Sequence, residues 1–382
     1  MKTLKRVFGI LNYSEKKRFI IVCFFLMILT VFEVVGIGLI FPIISFVINP
    51  DKAENAILAH TLKVGKKTFK KGRKLSSEDL SLLRGEKIET LICAKLEPGD
   101  IFEDDAADRI TSLIIGENLR KGAASTGRTN IYADKKGLLN YEAKAVNNFN
   151  SINEAVTLGL VPSFQHVEKN QMIGTLKIIP FAISGGVMND IEKFSSIHQP
   201  LFNLRPYAKK TAMLIQTQLT TTKASLLNST AEVTSDRLKM MDAALIEEKR
   251  CNHSENELSS ELYTAFAAKP DIILIAGASA IVDRRDIVPS AIQSVGGEII
   301  HFGMPVDPGN LILLASFKGT PVVGIPGCAR SPKLNGFDWV LWRLMAGLEV
   351  KGEDIMNMGG GGLLKDIPSR PLPRGRVSRL EQ

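Results

Sequence analysis

The chain has 382 residues, a 45% hydrophobic fraction and a net charge of +8 at pH 7. That length makes room for two or three domains at ~150 residues each, and the apolar content excludes a disordered or fibrous chain. Cys23, Cys93, Cys251 and Cys328 lie far apart without a CxxC pair, and the five histidines are scattered, which argues against a zinc site and a disulfide framework.

Taken in chain order, residues 1–50 read as a hydrophobic leader. Phe19 to Asn49 (FIIVCFFLMILTVFEVVGIGLIFPIISFVIN) carries one charge, Glu33, and is long enough to span a bilayer, with 19–47 as the anchor. Lys16, Lys17 and Arg18 precede it and favour a cytoplasmic N-terminus. The basic lead LNYSEKKRF and the following FEVVGIGLIFPIISF resemble the first transmembrane helix of ABC-type exporters, over residues 1–50 alone. No Walker motif GxxxxGK[ST] occurs, so ATPase chemistry is excluded.

After Pro50 the pattern turns soluble, and 51–183 reads as a smaller α+β domain. Lys63 to Lys74 (KVGKKTFKKGRK) holds much of the basic excess. Without interleaved aromatics it reads as a solvated face, not a nucleic-acid site, and the basic balance also suits an anionic small molecule. Ser76–Leu83 is expected as a helix whose serines cap its start, Thr90–Ala94 as a strand, Asp104–Ile115 as a helix, and Asn130–Ala133 and Met172–Ile179 as strands. The glycine and polar content of 184–204 suggests a linker.

From residue 205 to about 350 the rhythm becomes strand, helix, strand, helix. Ala212–Gln216, Ile246–Lys249, Ile272–Ala276 and Ile299–Phe302 read as strands. Leu311–Phe317 and Pro321–Ile325 read as a hairpin across Lys318-Gly319-Thr320. Lys223–Leu245, Ser254–Ala268, Arg285–Val295 and Asn335–Leu348 read as helices, with Ser254 and Glu257 spaced as in a capping box. Alternation of this kind predicts a three-layer α/β domain on a mostly parallel sheet. Residues 351–382 read as a tail or linker.

In open α/β sheets, ligands bind beyond the carboxyl ends of the strands. There Asp271 to Ile292 (DIILIAGASAIVDRRDIVPSAI) ends a buried strand in small residues and follows with four charges. Gly277, Ala278 and Ser279 can turn sharply and present N–H groups to an anion, and Arg284 and Arg285 suit phosphate. Asp283 and Asp286 either hold Mg2+ against that phosphate or, for Asp286, cap the next helix. Val306-Asp307-Pro308-Gly309-Asn310 and Gly324-Ile325-Pro326-Gly327-Cys328 follow two further strands, so three turns share one predicted edge.

The ordered motifs AGASAIVDRRDIV, HFGMPVDPGN and PVVGIPGCARS resemble the molybdopterin-binding domain shared by molybdopterin adenylyltransferases and molybdopterin molybdotransferases, over roughly 205–348. FKKGRKLSSEDLSLLRGEKIETLICAKLEPGD (69–100) resembles the smaller domain that precedes it in the molybdotransferases. The likeness extends to bacterial molybdopterin-binding proteins that continue into a nucleotidyltransferase domain, toward which 367–382 reads as a linker. The pattern departs from the family at four places. Ala276 stands for the first glycine of GGxS, and the aspartate loop is about two residues longer. Asn310 replaces the lysine of the PGK-like turn, and Cys328 replaces the asparagine of the GLPGNP-like turn.

The resemblance implies molybdopterin as ligand, gripped by Gly277, Ala278, Ser279, Arg284, Arg285, Pro308, Gly309, Asn310, Pro326, Gly327 and Cys328. Asp283 and Asp286 would be the catalytic and Mg2+ residues. It also implies a cytoplasmic role in molybdenum cofactor assembly or hand-over, and a homo-oligomer whose partners include a nucleotide, a nucleotidyltransferase domain or a molybdoenzyme. Two alternatives stand beside it: a membrane-tethered non-catalytic module with a degenerate pocket, and an active Mg-dependent nucleotidyl- or molybdotransferase.

Overall fold

A computed structural model describes residues 46–48 and 53–364, except residues 66 and 89. The hydrophobic leader lies outside the described residues, apart from its end: Phe46–Ile48 is a strand paired antiparallel with Leu91–Ala94, so the expected helix does not reach residue 47. Among the described residues no helix is long and apolar enough to cross a membrane. Two compact units divide the chain: residues up to Ala106 with Ile178–Gly185, and Ala107–Lys177 with the residues from Gly186 onward.

In the first unit, Ile57–Leu58 joins the same small sheet, and Leu62–Val64 pairs with Lys67–Phe69 as a hairpin. The basic stretch is therefore largely a β-ribbon and its return. The helix Ser77–Gly85 starts where the serines put it: Ser76 Oγ accepts from Asp79 N and the Asp79 carboxylate accepts from Ser76 N, a reciprocal cap. Arg73 grips the same carboxylate through two bonds of 2.8 and 3.0 Å and holds it below its ordinary pKa. Leu80 and Leu83 face Leu58, Val64, Phe69, Leu91 and Cys93 in the core of this unit.

The second unit carries a four-stranded antiparallel sheet in the order Val156–Leu160, Met172–Ile178, Arg128–Ala133, Leu119–Lys121. A three-stranded sheet of His166–Val167, Gly137–Asn140 and Asn203–Pro206 accompanies it. Residues 184–204, expected as a linker, contain a helix, Gly185–Ile197, whose Met188 and Ile191 are buried. Glycines at its start misled the compositional reading, because the helix is held by the apolar side chains that follow.

The large sheet is built from β1 (Thr211–Gln218), β2 (Ala244–Asn252), β3 (Ile272–Ala276), β4 (Glu298–Phe302), β5 (Leu313–Phe317) and β6 (Thr320–Gly324). Its order is β2-β1-β3-β6-β5-β4. β2, β1, β3 and β6 run parallel, and β5 is antiparallel to both neighbours. Helices α1 (Ala224–Met240) and α4 (Gly336–Met345) cover one face, and α2 (Glu255–Ala267) and α3 (Ile287–Ser294) cover the other.

Alternation along each strand decides which residue meets which layer. Leu214 and Leu274 pack with Leu238, Phe337 and Leu341, whereas Met213, Ile215, Ile273 and Ile275 pack with Leu258, Leu262, Val288 and Ile292. β3 is buried on both sides and therefore reads as an unbroken apolar run. The hairpin turn between β5 and β6 has Lys318 at φ 49° and Gly319 at φ 85°, the left-handed pair that joins twisted strands.

Three stretches differ from expectation, the first being the start of the expected tail: Gly352–Met356 is a helix, and its Ile355 is buried in the core with Leu341. β2 is nine residues long, not four, because it is an edge strand: Lys249 pairs with Glu247 and with Glu261 of α2, while Arg250 pairs with Glu248 and with Asn228 of α1, so both faces of the strand carry charges and it lacks an apolar signature. α1 ends at Met240, before the expected Leu245, where Asp242 takes φ 57° and redirects the chain into β2.

Candidate functional site

The strand register brings five chain segments to one edge. Gln216 pairs with Ala276, Ile275 with Gly324, Gly324 with Leu313, Leu313 with Phe302, and Gln218 with Asn252. The carboxyl ends of β1, β2, β3, β4 and β6 and the start of β5 therefore share a rim. Every candidate residue, from Gly277 to Cys328, lies in a loop leaving that rim: 277–286 after β3, 303–312 between β4 and β5, and 325–335 after β6.

The first loop is tied at its root. Ala278 N donates to Thr217 Oγ1 at 2.8 Å, and Arg330 Nη2 donates to the Gly277 carbonyl at 2.8 Å. Ile281 is buried against Gly324, where a β-carbon would sit 2.7 Å from the isoleucine methyl. Between these anchors the N–H groups of Ser279, Ala280 and Ile281 donate to no acceptor among the described residues. Three successive free amides leave unpaired donors on the rim that an anion's oxygens can accept from.

Arg284 and Arg285 follow, exposed, and their guanidinium groups make no hydrogen bond among the described residues. Arg284 lies near enough to His301 that, after burial, its charge is the second cause holding that imidazole below its ordinary pKa.

The two aspartates turn inward on the loop itself. Asp286 Oδ2 accepts from Val282 N at 2.6 Å and from Asp283 N at 2.9 Å, and Asp283 Oδ1 accepts from Arg285 N at 2.8 Å. Asp286 occupies the N-cap position of α3, yet its side chain makes no bond to the helix. The capping expectation is thus corrected in part: the residue is in place but its carboxylate closes the preceding turn. Among the described residues no group of three His, Cys, Asp or Glu side chains could hold a metal ion.

In the second loop the Asp307–Pro308 peptide is cis. Gly309 has φ 139°, and a β-carbon there would fall 2.7 Å from Gly336 N, so only glycine lets the loop lie on the start of α4. The exposed Asn310 turns its side chain back, donating from Nδ2 to the Met304 carbonyl at 3.3 Å.

The third loop carries Pro326 and then a turn of 3-10 helix, Gly327–Arg330, which leaves Cys328 exposed. Arg237 of α1 fixes this turn from beneath. Its side chain is buried, with Nε donating to Asp338 Oδ1 at 2.7 Å, Nη1 to the Ala329 carbonyl at 2.7 Å and Nη2 to the Ser331 carbonyl at 2.5 Å. Burial pushes the Asp338 carboxyl above its ordinary pKa, with Arg237 opposing.

Thr217 and His253 escaped the sequence reading. His253 Nδ1 lies 2.8 Å from Thr217 Oγ1, and His253 Nε2 lies 2.8 Å from Ser279 Oγ. His253 directly follows β2, so a correct length for that strand would have put it on the rim. Burial holds its imidazole below the ordinary value, with the charge of Asp286 working against that.

No protein-family model matches the sequence, and no curated protein matches it. Among solved structures, the chain is similar at 15% identity to a molybdopterin biosynthesis MoeA protein from Pyrococcus horikosii. The likeness covers 65% of this chain and 79% of that chain, with a TM-score of 0.29.

Proposed function

We propose that the carboxyl rim of the large sheet binds a phosphorylated pterin, and that the chain acts as a molybdopterin-binding protein in molybdenum cofactor assembly or hand-over. One observation carries this reading: the free amides of Ser279, Ala280 and Ile281 and the two unpaired guanidinium groups of Arg284 and Arg285 lie in one loop that is tied at its root. Amides and arginines together match a phosphate's acceptor oxygens. Exposed Leu219, Val282, Leu311 and Leu334 lie in the same rim segments and supply apolar surface for a ring system. The ordered turn motifs make the ring a pterin through the family resemblance.

Binding is favoured over group transfer. Transfer needs charges held at defined distances, and both aspartates are already committed to the amides of their own loop. Titration calorimetry with molybdopterin, with and without Mg2+, tests the proposal. Saturable, Mg-independent binding without turnover is the expected outcome; absence of binding to the wild-type chain overturns it.

A further inference from the structure

Ser279 is joined to a buried threonine through an imidazole, and the hydrogen count of that chain fixes its direction. Thr217 is wholly buried, and its hydroxyl oxygen already accepts from Ala278 N. Its own proton needs an acceptor, and the only acceptor within reach among the described residues is His253 Nδ1, at 2.8 Å. If Nδ1 carried the proton instead, the threonine's hydroxyl proton would be left buried without an acceptor, a loss large enough to bias a tautomer by roughly tenfold or more.

We infer that Thr217 and His253 act as positioning residues that set Ser279 as a one-way donor: Thr217 O–H donates to Nδ1, Nε2–H donates to Ser279 Oγ, and the Ser279 proton points to the rim. The imidazole is therefore not a base for Ser279, and the serine is not a nucleophile. Its hydroxyl joins the free amides of Ser279, Ala280 and Ile281 as a fourth donor. Such an array prefers a ligand group that only accepts, a fully deprotonated phosphate, over one that must donate. The direction of the chain stands without any ligand; only the identity of the acceptor rests on the reading of the rim as an anion site.

Two measurements on the full chain separate these parts. Two-bond nitrogen–proton NMR on histidine-labelled protein, with His253 assigned by H253Q, is expected to show Nε2 protonated and Nδ1 bare at neutral pH. A proton on Nδ1, or an imidazolium, overturns the inference. Calorimetry with inorganic phosphate is then expected to show affinity falling by roughly tenfold in S279A, since a hydrogen bond to a charged group is worth about that much. T217V should mix the tautomers and weaken phosphate, and T217S should restore both. Unchanged tautomer and unchanged affinity in T217V refute the positioning role. Wild-type protein that shows the expected tautomer but binds no phosphate upholds the direction and refutes the anion reading.

Discussion

Replacing Arg237 by methionine tests whether the floor of the rim is an ion pair or merely packing. Arg237 is 5% exposed and Asp338 4% exposed. The arginine donates to Asp338 at 2.7 Å, to the carbonyls of Ala329 and Ser331 at 2.7 and 2.5 Å, and to that of Lys333 at 3.1 Å. Removing one partner of a buried pair leaves the other charge uncompensated, which costs about 3–5 kcal/mol. Methionine fills much of the volume, so a cavity adds little.

Both tryptophans, Trp339 and Trp342, lie in the helix that starts at the Asn335–Asp338 capping box, so fluorescence-detected urea unfolding reads this region directly. The expected result is a stability loss of about 3–5 kcal/mol in R237M. The double variant R237M/D338N should recover part of it, because the introduced amide carries no charge and its oxygen can still accept from Asn335 N. The pH dependence has a definite sign. Burial already raises the Asp338 carboxyl, and without Arg237 it rises further. The folded variant then keeps a proton that the unfolded chain has released, so its stability falls as pH rises through the raised pKa. The deficit is largest at neutral pH and shrinks on acidification. A loss below about 1 kcal/mol, within the range of exposed pairs, would refute the reasoning.

Further outcomes follow from other sites. G309A forces a side chain onto φ 139° and into Gly336 N at 2.7 Å, so it should lose roughly 1–3 kcal/mol in the same unfolding assay. R284A and R285A should each weaken phosphate by roughly tenfold in calorimetry while leaving the unfolding midpoint in place, because both side chains are exposed and unpaired. S254A removes the acceptor of Glu257 N at the start of α2 and should cost about 1 kcal/mol. Glu257 would not compensate, since its carboxylate is engaged by Asn252 N and Nδ2 at 2.8 Å.

The sequence by itself determined what depends on neighbours along the chain. Ile272–Ala276 announced a doubly buried strand, Ser76 and Ser254 announced helix starts, and Lys318-Gly319 announced a hairpin, because burial pattern, capping and turn geometry are settled within a few residues. The three turns of the candidate rim were legible for the same reason. β2 was not, because a charged edge strand has no apolar alternation to read, and with it His253 was lost from view. Only the tertiary structure decided that His253 meets Ser279 across 26 positions and Arg237 meets Asp338 across 101. It also turned the carboxylates of Asp283 and Asp286 onto their own loop. Hydrogen bonds between distant residues depend on strand order and register, and these are fixed when whole layers pack, not by any local run of side chains.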